Sequence, residues 1–181
     1  SRISNPTNAV LEQRVAALEG GRAALSCGSG HAAQLLALHT LMSPGDNIVA
    51  ARQLYGGSIN QFNHSFKSFG WNVKWADIDD VSTFEKAVTP KTKAIFPVLW
   101  AGQPLVPPED IGLPLVYDCA QAMGADFSAA GKMCCWSFHA VKNMATGDGG
   151  MLTTDNEEIY ERARRLRWFG INASTWDRTN D

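Results

Sequence analysis

Two spacings of apolar residues alternate along this chain. Val10, Leu11, Val15 and Leu18 fall at helical spacing behind the turn and cap signal Asn5-Pro6-Thr7-Asn8, and Gly20-Gly21 ends that helix. Ala23 to Cys27 is a short apolar run that reads as a buried strand, and Gly28-Ser29-Gly30 turns the chain into an apolar helix from His31 to Met42. Beyond the break Ser43-Pro44-Gly45-Asp46, a second strand is predicted over Asn47 to Ala51. A helix then runs from Leu54-Tyr55-Gly56-Gly57 to about Phe69, a third strand over Trp71 to Trp75, a short helix over Val81 to Val88, and a fourth strand over Lys93 to Leu99. Leu115 to Tyr117 is a fifth strand ending at Asp118, Cys134 to Phe138 a sixth and Gly150 to Thr154 a seventh, before a closing helix from Asn156 to Phe169. The alternation predicts an α/β fold of three layers, with a mostly parallel seven-stranded sheet covered on both faces. No repeat, low-complexity stretch or linker divides the chain, so residues 1–181 read as one domain.

Composition narrows the class. The 181 residues are 45% hydrophobic and 19% charged with a net charge of −2, enough apolar matter for a core and no charge excess to favour nucleic acid. No run reaches the length of a membrane span and no signal peptide is seen. The chain opens on Ser1-Arg2-Ile3 without a methionine, and its natural start is expected upstream. Cys27, Cys119, Cys134 and Cys135 lack zinc-site spacing and read as reduced core thiols of a cytoplasmic protein, with Cys134 and Cys135 on opposite faces of a strand. No metal site is expected.

Ligands of open α/β sheets sit at the carboxyl ends of strands, and three features collect there. Gly28-Ser29-Gly30-His31 joins a strand to a helix whose N-terminus favours an anion; a tight turn would need the same glycines. Asp118 ends the fifth strand, where a carboxylate could keep a ring nitrogen protonated or simply cap a helix. Lys142 follows the sixth strand on the way to the Gly-rich turn Gly147 to Gly150. A lysine fixed between buried strands is suited to Schiff-base chemistry, whereas the plain alternative is a surface loop lysine. Phosphate cradle, carboxylate and lysine together predict a pyridoxal-phosphate site. A dinucleotide-binding oxidoreductase is a second reading, since Gly28-Ser-Gly-His-Ala-Ala33 matches G-x-G-x-x-A and Arg52 ends the second strand, but it leaves Asp118 and Lys142 without a role. Arg162, Arg164, Arg165 and Arg167 offer an anion site or, more simply, a solvated helix face.

Two resemblances sharpen this. Ser137-Phe-His-Ala-Val-Lys142-Asn-Met-Ala-Thr-Gly-Asp-Gly-Gly150 and Tyr117-Asp-Cys-Ala-Gln-Ala-Met-Gly-Ala125 resemble motifs of the DegT/DnrJ/EryC1/StrS aminotransferases, as do Val98-Leu-Trp-Ala-Gly-Gln-Pro104 and Arg164-Arg-Leu-Arg-Trp-Phe-Gly-Ile171. These pyridoxal-phosphate enzymes aminate nucleotide-linked keto sugars. The resemblance implies that Lys142 carries the cofactor, that Ser137 binds its phosphate, that Asp118 pairs with the pyridinium nitrogen, and that Gln121 lies beside the ring. Residues 1 to about 96, through Ser1-Arg-Ile-Ser-Asn-Pro-Thr-Asn-Ala-Val-Leu-Glu-Gln-Arg-Val-Ala-Ala-Leu-Glu-Gly20 and Asp46-Asn-Ile-Val-Ala-Ala-Arg-Gln-Leu-Tyr-Gly-Gly57, resemble instead the Cys/Met-metabolism family, especially O-acetylhomoserine sulfhydrylase. That resemblance implies phosphate binding by the backbone at Gly30 and His31, ring stacking by Tyr55 (otherwise a core aromatic), and a reach by Arg2 to the phosphate of a neighbouring subunit.

Both families share the aspartate-aminotransferase-like large domain, so the chain is expected to be that domain, fused near residues 96–98 and lacking the C-terminal domain. Its expected partners are small molecules (an amino-acid donor with a keto sugar, or O-acetylhomoserine) and a second copy in a homodimer. A scaffold that turns nothing over is the non-enzymatic alternative, because the links 101–114 and 124–133 look too short for crossover helices.

Overall fold

A computed structural model describes residues 5–105, 111–127, 129 and 131–172. Helix α1 (Pro6–Leu18) opens on Asn5, whose side chain accepts the Thr7 N–H, with proline at the first helical position. Strand β1 (Ala23–Cys27) leads into α2 (Gly30–His39), and β2 (Asn47–Ala51) follows. The predicted helix to Phe69 forms as three continuous pieces, α3 (Gly56–Asn60), a π-helical turn (Gln61–Ser65) and α4 (Phe66–Ser68). The π turn still presents Phe62 and Phe66 to the core, their rings 4.6 Å apart. Then come β3 (Asn72–Ala76), α5 (Ser82–Ala87), β4 (Thr92–Phe96), β5 (Val116–Asp118), β6 (Met133–Ser137), β7 (Gly150–Thr154) and α6 (Glu157–Leu166).

The strands form two ladders, β3-β2-β4 and β1-β7-β6-β5. Parallel bridges Ile95↔Leu115 and Val98↔Asp118 join β4 to β5, which gives one seven-stranded sheet. The expected parallel character holds from β3 through β6. It breaks at β7, which runs antiparallel to both β6 and β1. The link from β6 to β7 carries no helix among the described residues, and a parallel return would need one. Because β7 reverses direction, β1 again points the same way as β5 and β6, and the three carboxyl ends share one edge.

Side-chain alternation along the strands builds two cores. On one face Leu25, Ile48, Phe96, Val116 and Cys135 pack with Ala33, Leu36 and Ala37 of α2, with Phe62 and Phe66, and with Ala163 of α6. On the other, Ala24, Tyr117, Cys134, Trp136 and Met151 pack with Val15 and Ala16 of α1. Cys134 and Cys135 thus face opposite ways, and all four thiols are free. The second face is closed by α1 and by Cys119, Ala122, Phe127 and Ala129 of the β5–β6 link, where only turns are found among the described residues. The link after β4 begins with a 3-10 turn, Trp100–Gly102.

The arginines of the closing helix divide. Arg164 pairs with Glu161 at 2.8 Å on the helix itself. Arg167 is not on a solvated face: its guanidinium donates to Glu12 at 2.7 Å and to the Ser26 carbonyl at 3.1 Å, tying the end of α6 to α1 and β1.

Candidate functional site

A cavity of about 340 Å³ opens at the shared carboxyl edge of β1, β5 and β6. Ser29, Gly30, His31 and Gln34 line it from α2, Tyr55 and Ser58 from the start of α3, Asp118 and Ala120 from β5, and Ser137, His139, Val141, Lys142 and Asp148 from β6 and the loop beyond. A larger hollow of about 790 Å³ near Glu12, Cys27 and Arg167 holds Gly28, Arg164 and Arg167 but none of the residues that the family resemblances assign to the cofactor. It is an open groove floored by the Glu12–Arg167 pair.

The helix end is built as an anion cradle. Ser29 caps α2: its hydroxyl accepts the Ala32 N–H and its carbonyl the Ala33 N–H, both at 3.1 Å. The N–H groups of Gly30 and His31 are then the orphan donors of the first turn, where the helix dipole favours negative charge. Two glycines let three elements meet here. A Cβ on Gly30 would stand 2.9 Å from the Cβ of Ser137, and one on Gly150 would stand 2.3 Å from the Ser29 carbonyl carbon and oxygen. Gly150→Ala is therefore expected to cost about 1–3 kcal/mol or more, because only backbone can give way. Gly28→Ala, whose Cβ would meet nothing within 4 Å, is expected to be neutral to about 0.5 kcal/mol, and a denaturant titration of both variants measures the contrast.

Asp118 is 4% exposed. It caps no helix; its Oδ1 accepts the Ala120 N–H and its Oδ2 the Gln34 Nε2–H, each at 3.0 Å. Burial pushes its carboxyl above the usual carboxylate range, and the Ala120 bond, Lys142, His31 and the Gln34 bond oppose that. Lys142 is half-buried, on a loop stitched by bonds from Thr146 N to the Phe138 carbonyl, Ala140 N to the Gly147 carbonyl and Lys142 N to the His139 carbonyl. It is thus positioned between two buried strands, as its sequence context predicts.

Tyr55 is 66% exposed and so is no core aromatic. Its ring stacks on His31, centroids 5.9 Å apart and planes at 26°. Gln61, from the π turn, donates to the His31 carbonyl at 3.2 Å and steadies that residue from behind.

Of the predicted site residues, Gly30, His31, Tyr55, Asp118, Ser137 and Lys142 come together on this cavity. Gln121 does not line it: its Oε1 accepts the Ala101 N–H at 2.7 Å, holding a residue with a φ of 52°. Arg2 lies outside the described residues. The sequence reading passed over Gln34 and Ser58, which are 3% and 1% exposed, and over His139 and Asp148. Gln34 had a signal, a polar residue inside the apolar run Ala32-Ala33-Gln34-Leu35-Leu36. The dinucleotide reading fails on topology. Its glycine motif follows β1, an edge strand antiparallel to its neighbour, whereas that fingerprint belongs to a parallel βαβ unit. No cluster of three metal-ligating side chains occurs among the described residues.

The sequence profile of the DegT/DnrJ/EryC1/StrS aminotransferase family matches residues 2–181. This chain belongs to that family. Among its relatives, the spore coat polysaccharide biosynthesis protein SpsC of Bacillus subtilis is 34% identical over 186 aligned positions, covering 93% of this chain and 47% of SpsC. Homocysteine/cysteine synthase of Saccharomyces cerevisiae is 52% identical over 96 residues, 53% of this chain and 22% of the synthase. The aminotransferase from Psychrobacter cryohalolentis superposes with a TM-score of 0.84 at 26% identity, over 98% of this chain and 49% of that one. The chain thus spans about half the length of SpsC and less of the synthase.

Enzymes of the DegT/DnrJ/EryC1/StrS family and its structural neighbours depend on pyridoxal phosphate, and the cavity fits that group. It has a helix N-terminus with the Ser137 hydroxyl beside it for a phosphate, a buried carboxylate for a ring nitrogen, and a lysine. Two buried side-chain atoms of residues that line it, Gln34 Oε1 and Ser58 Oγ, have no hydrogen-bond partner among the described residues.

Proposed function

We propose that this chain is the cofactor-binding large domain of a pyridoxal-phosphate-dependent aminotransferase acting on a nucleotide-linked keto sugar. The observation that carries the reading is the convergence of the Gly30–His31 helix end, Asp118 and Lys142 on one cavity. Gly30, His31 and Ser137 would hold the phosphate, Asp118 would keep the ring nitrogen protonated, and Tyr55 would cover one ring face. Pyridoxal phosphate supplies a carbonyl that condenses with amines and a ring that stores an electron pair. Lys142 Nζ would anchor the cofactor and, when free, would be the base that accepts the proton from the substrate carbon bearing the amine.

The high identity to homocysteine/cysteine synthase supports a second reading, sulfhydrylase chemistry on O-acetylhomoserine. A 96-residue match of that strength inside a chain matched throughout by the aminotransferase family fits a fusion with a seam near residues 96–98. We place the enzyme in the cytoplasm as a homodimer. Four free thiols suit a reducing compartment. Tyr55 and Val141, 66% and 79% exposed on the cavity, suit a site closed by a second copy.

The test supplies pyridoxal phosphate with two substrate sets. Transfer of an amino group from an amino acid to a nucleotide-linked keto sugar is expected, with no product from O-acetylhomoserine and sulfide. The reverse pattern would establish the sulfhydrylase reading, and no product from either would leave the inert scaffold.

A further inference from the structure

Gln34 is buried in a helix face that is otherwise apolar, and it reaches across the fold to a residue 84 positions away. It stands one helical turn beyond Gly30, so the same face of α2 that offers the anion cradle also carries this amide. Its Nε2 donates to Asp118 Oδ2, and the Ala120 N–H donates to Oδ1 from the other side. A carboxylate that receives one donor on each oxygen is fixed in plane, and each oxygen keeps lone-pair capacity. The amide cannot turn over while Asp118 is ionised, because Oε1 would then face a negatively charged oxygen. Gln34 Oε1 is instead left buried without a partner among the described residues.

We infer that Gln34 is a positioning residue of the cofactor site, whose amide orients the ionised Asp118 carboxylate for a protonated ring nitrogen. The inference rests on the cofactor reading above. The groups that act on Asp118 are Lys142 from the β6–β7 loop and His31 from α2, both favouring its ionisation. The buried thiols of Cys119 and Cys135 also sense its charge. Gln34 adds to Lys142 and His31 a directional bond that neither of them makes. It also joins residues on the two sides of the proposed seam.

The experiment compares Gln34→Met, close in size but without a donor, and Gln34→Glu, which sets a second carboxyl beside Asp118. Each is made alone and together with Asp118→Asn. Pyridoxal phosphate is titrated into each protein by visible absorption across a range of pH. Gln34→Met is expected to weaken binding about tenfold at neutral pH, the size of a lost hydrogen bond to a charged group. The pH below which binding fails should move upward, and further in Gln34→Glu. In the Asp118→Asn background Gln34→Met should no longer move the pH below which binding fails. Binding by Gln34→Met within about twofold of the parent at every pH, or equal losses with and without Asp118, would overturn the inference.

Should the parent itself fail to bind pyridoxal phosphate, the cofactor reading falls, and the cofactor-free chain still decides the role of Gln34. Asp118 is raised on folding, so the stability it lends is full below the ordinary carboxylate range and is lost as pH rises through its folded value. Removing the Gln34 donor raises that value again. Gln34→Met should therefore enlarge the fall of the thermal midpoint with rising pH, and Asp118→Asn should abolish the difference. Parallel midpoint curves for Gln34→Met and the parent would refute the orientation of Asp118 by Gln34.

Discussion

Replacing Lys142 with alanine is expected to lower turnover by about 10⁴-fold or more, since both the anchoring amine and the proton carrier are lost. The fold should survive the change. The side chain is half-buried and makes no hydrogen bond or ion pair with a described residue. The loop's geometry rests on main-chain bonds from Lys142, Ala140 and Thr146, which alanine retains. Thermal unfolding without cofactor should therefore match the parent below the ordinary carboxylate range and fall somewhat below it as pH rises, because Lys142 favours the ionised Asp118, while visible absorption with pyridoxal phosphate should lose the band of the lysine-bound form. Residual turnover close to that of the parent would remove Lys142 from the chemistry.

Asp118→Asn is expected to move function and stability in opposite directions. Loss of the ionised partner of the ring nitrogen should lower turnover by about 10²–10³-fold, the range for removing one preorganised electrostatic group. Without cofactor, the same change should raise the thermal midpoint at neutral pH. Burial holds the Asp118 carboxyl above its ordinary range, so an ionised carboxylate in the empty site costs stability that a neutral amide does not. The sign follows from the raised value: the benefit of asparagine is absent below the ordinary carboxylate range, grows as pH rises through the folded value and is constant above it. Asparagine also keeps the local bonding, since its Oδ1 can accept the Ala120 N–H and Gln34 can turn its Oε1 towards the new amide. Scans of both proteins at several pH values measure the crossover, and a midpoint lowered at neutral pH would contradict the account of Asp118.

Much of the frame was legible because its signals are local. Glycine and proline breaks bracket the apolar runs, and Ala23–Cys27, Asn47–Ala51 and Gly150–Thr154 form over the residues the pattern predicts. Lys142 and Asp118 were readable as chemistry because each is a charged residue directly after or at the end of a buried strand. The direction of β7 was harder, since an apolar run carries no polarity; the sign lay in a glycine-rich link with no helical period. Gln34 escaped because its meaning is a contact across 84 positions, which helical spacing does not report. Gln121 shows the limit of resemblance. The motif placed it beside a ring, but its neighbourhood includes the left-handed turn at Ala101, and its side chain is spent there.

The central claim, that Lys142 is the residue around which a pyridoxal-phosphate site is assembled, is tested most directly by borohydride reduction of the purified protein with pyridoxal phosphate, followed by peptide mass mapping. The account predicts a yellow protein that bleaches on reduction, with the pyridoxyl mass on the peptide bearing Lys142. A colourless protein, or a label spread over surface lysines such as Lys67, Lys91 and Lys93, would contradict it.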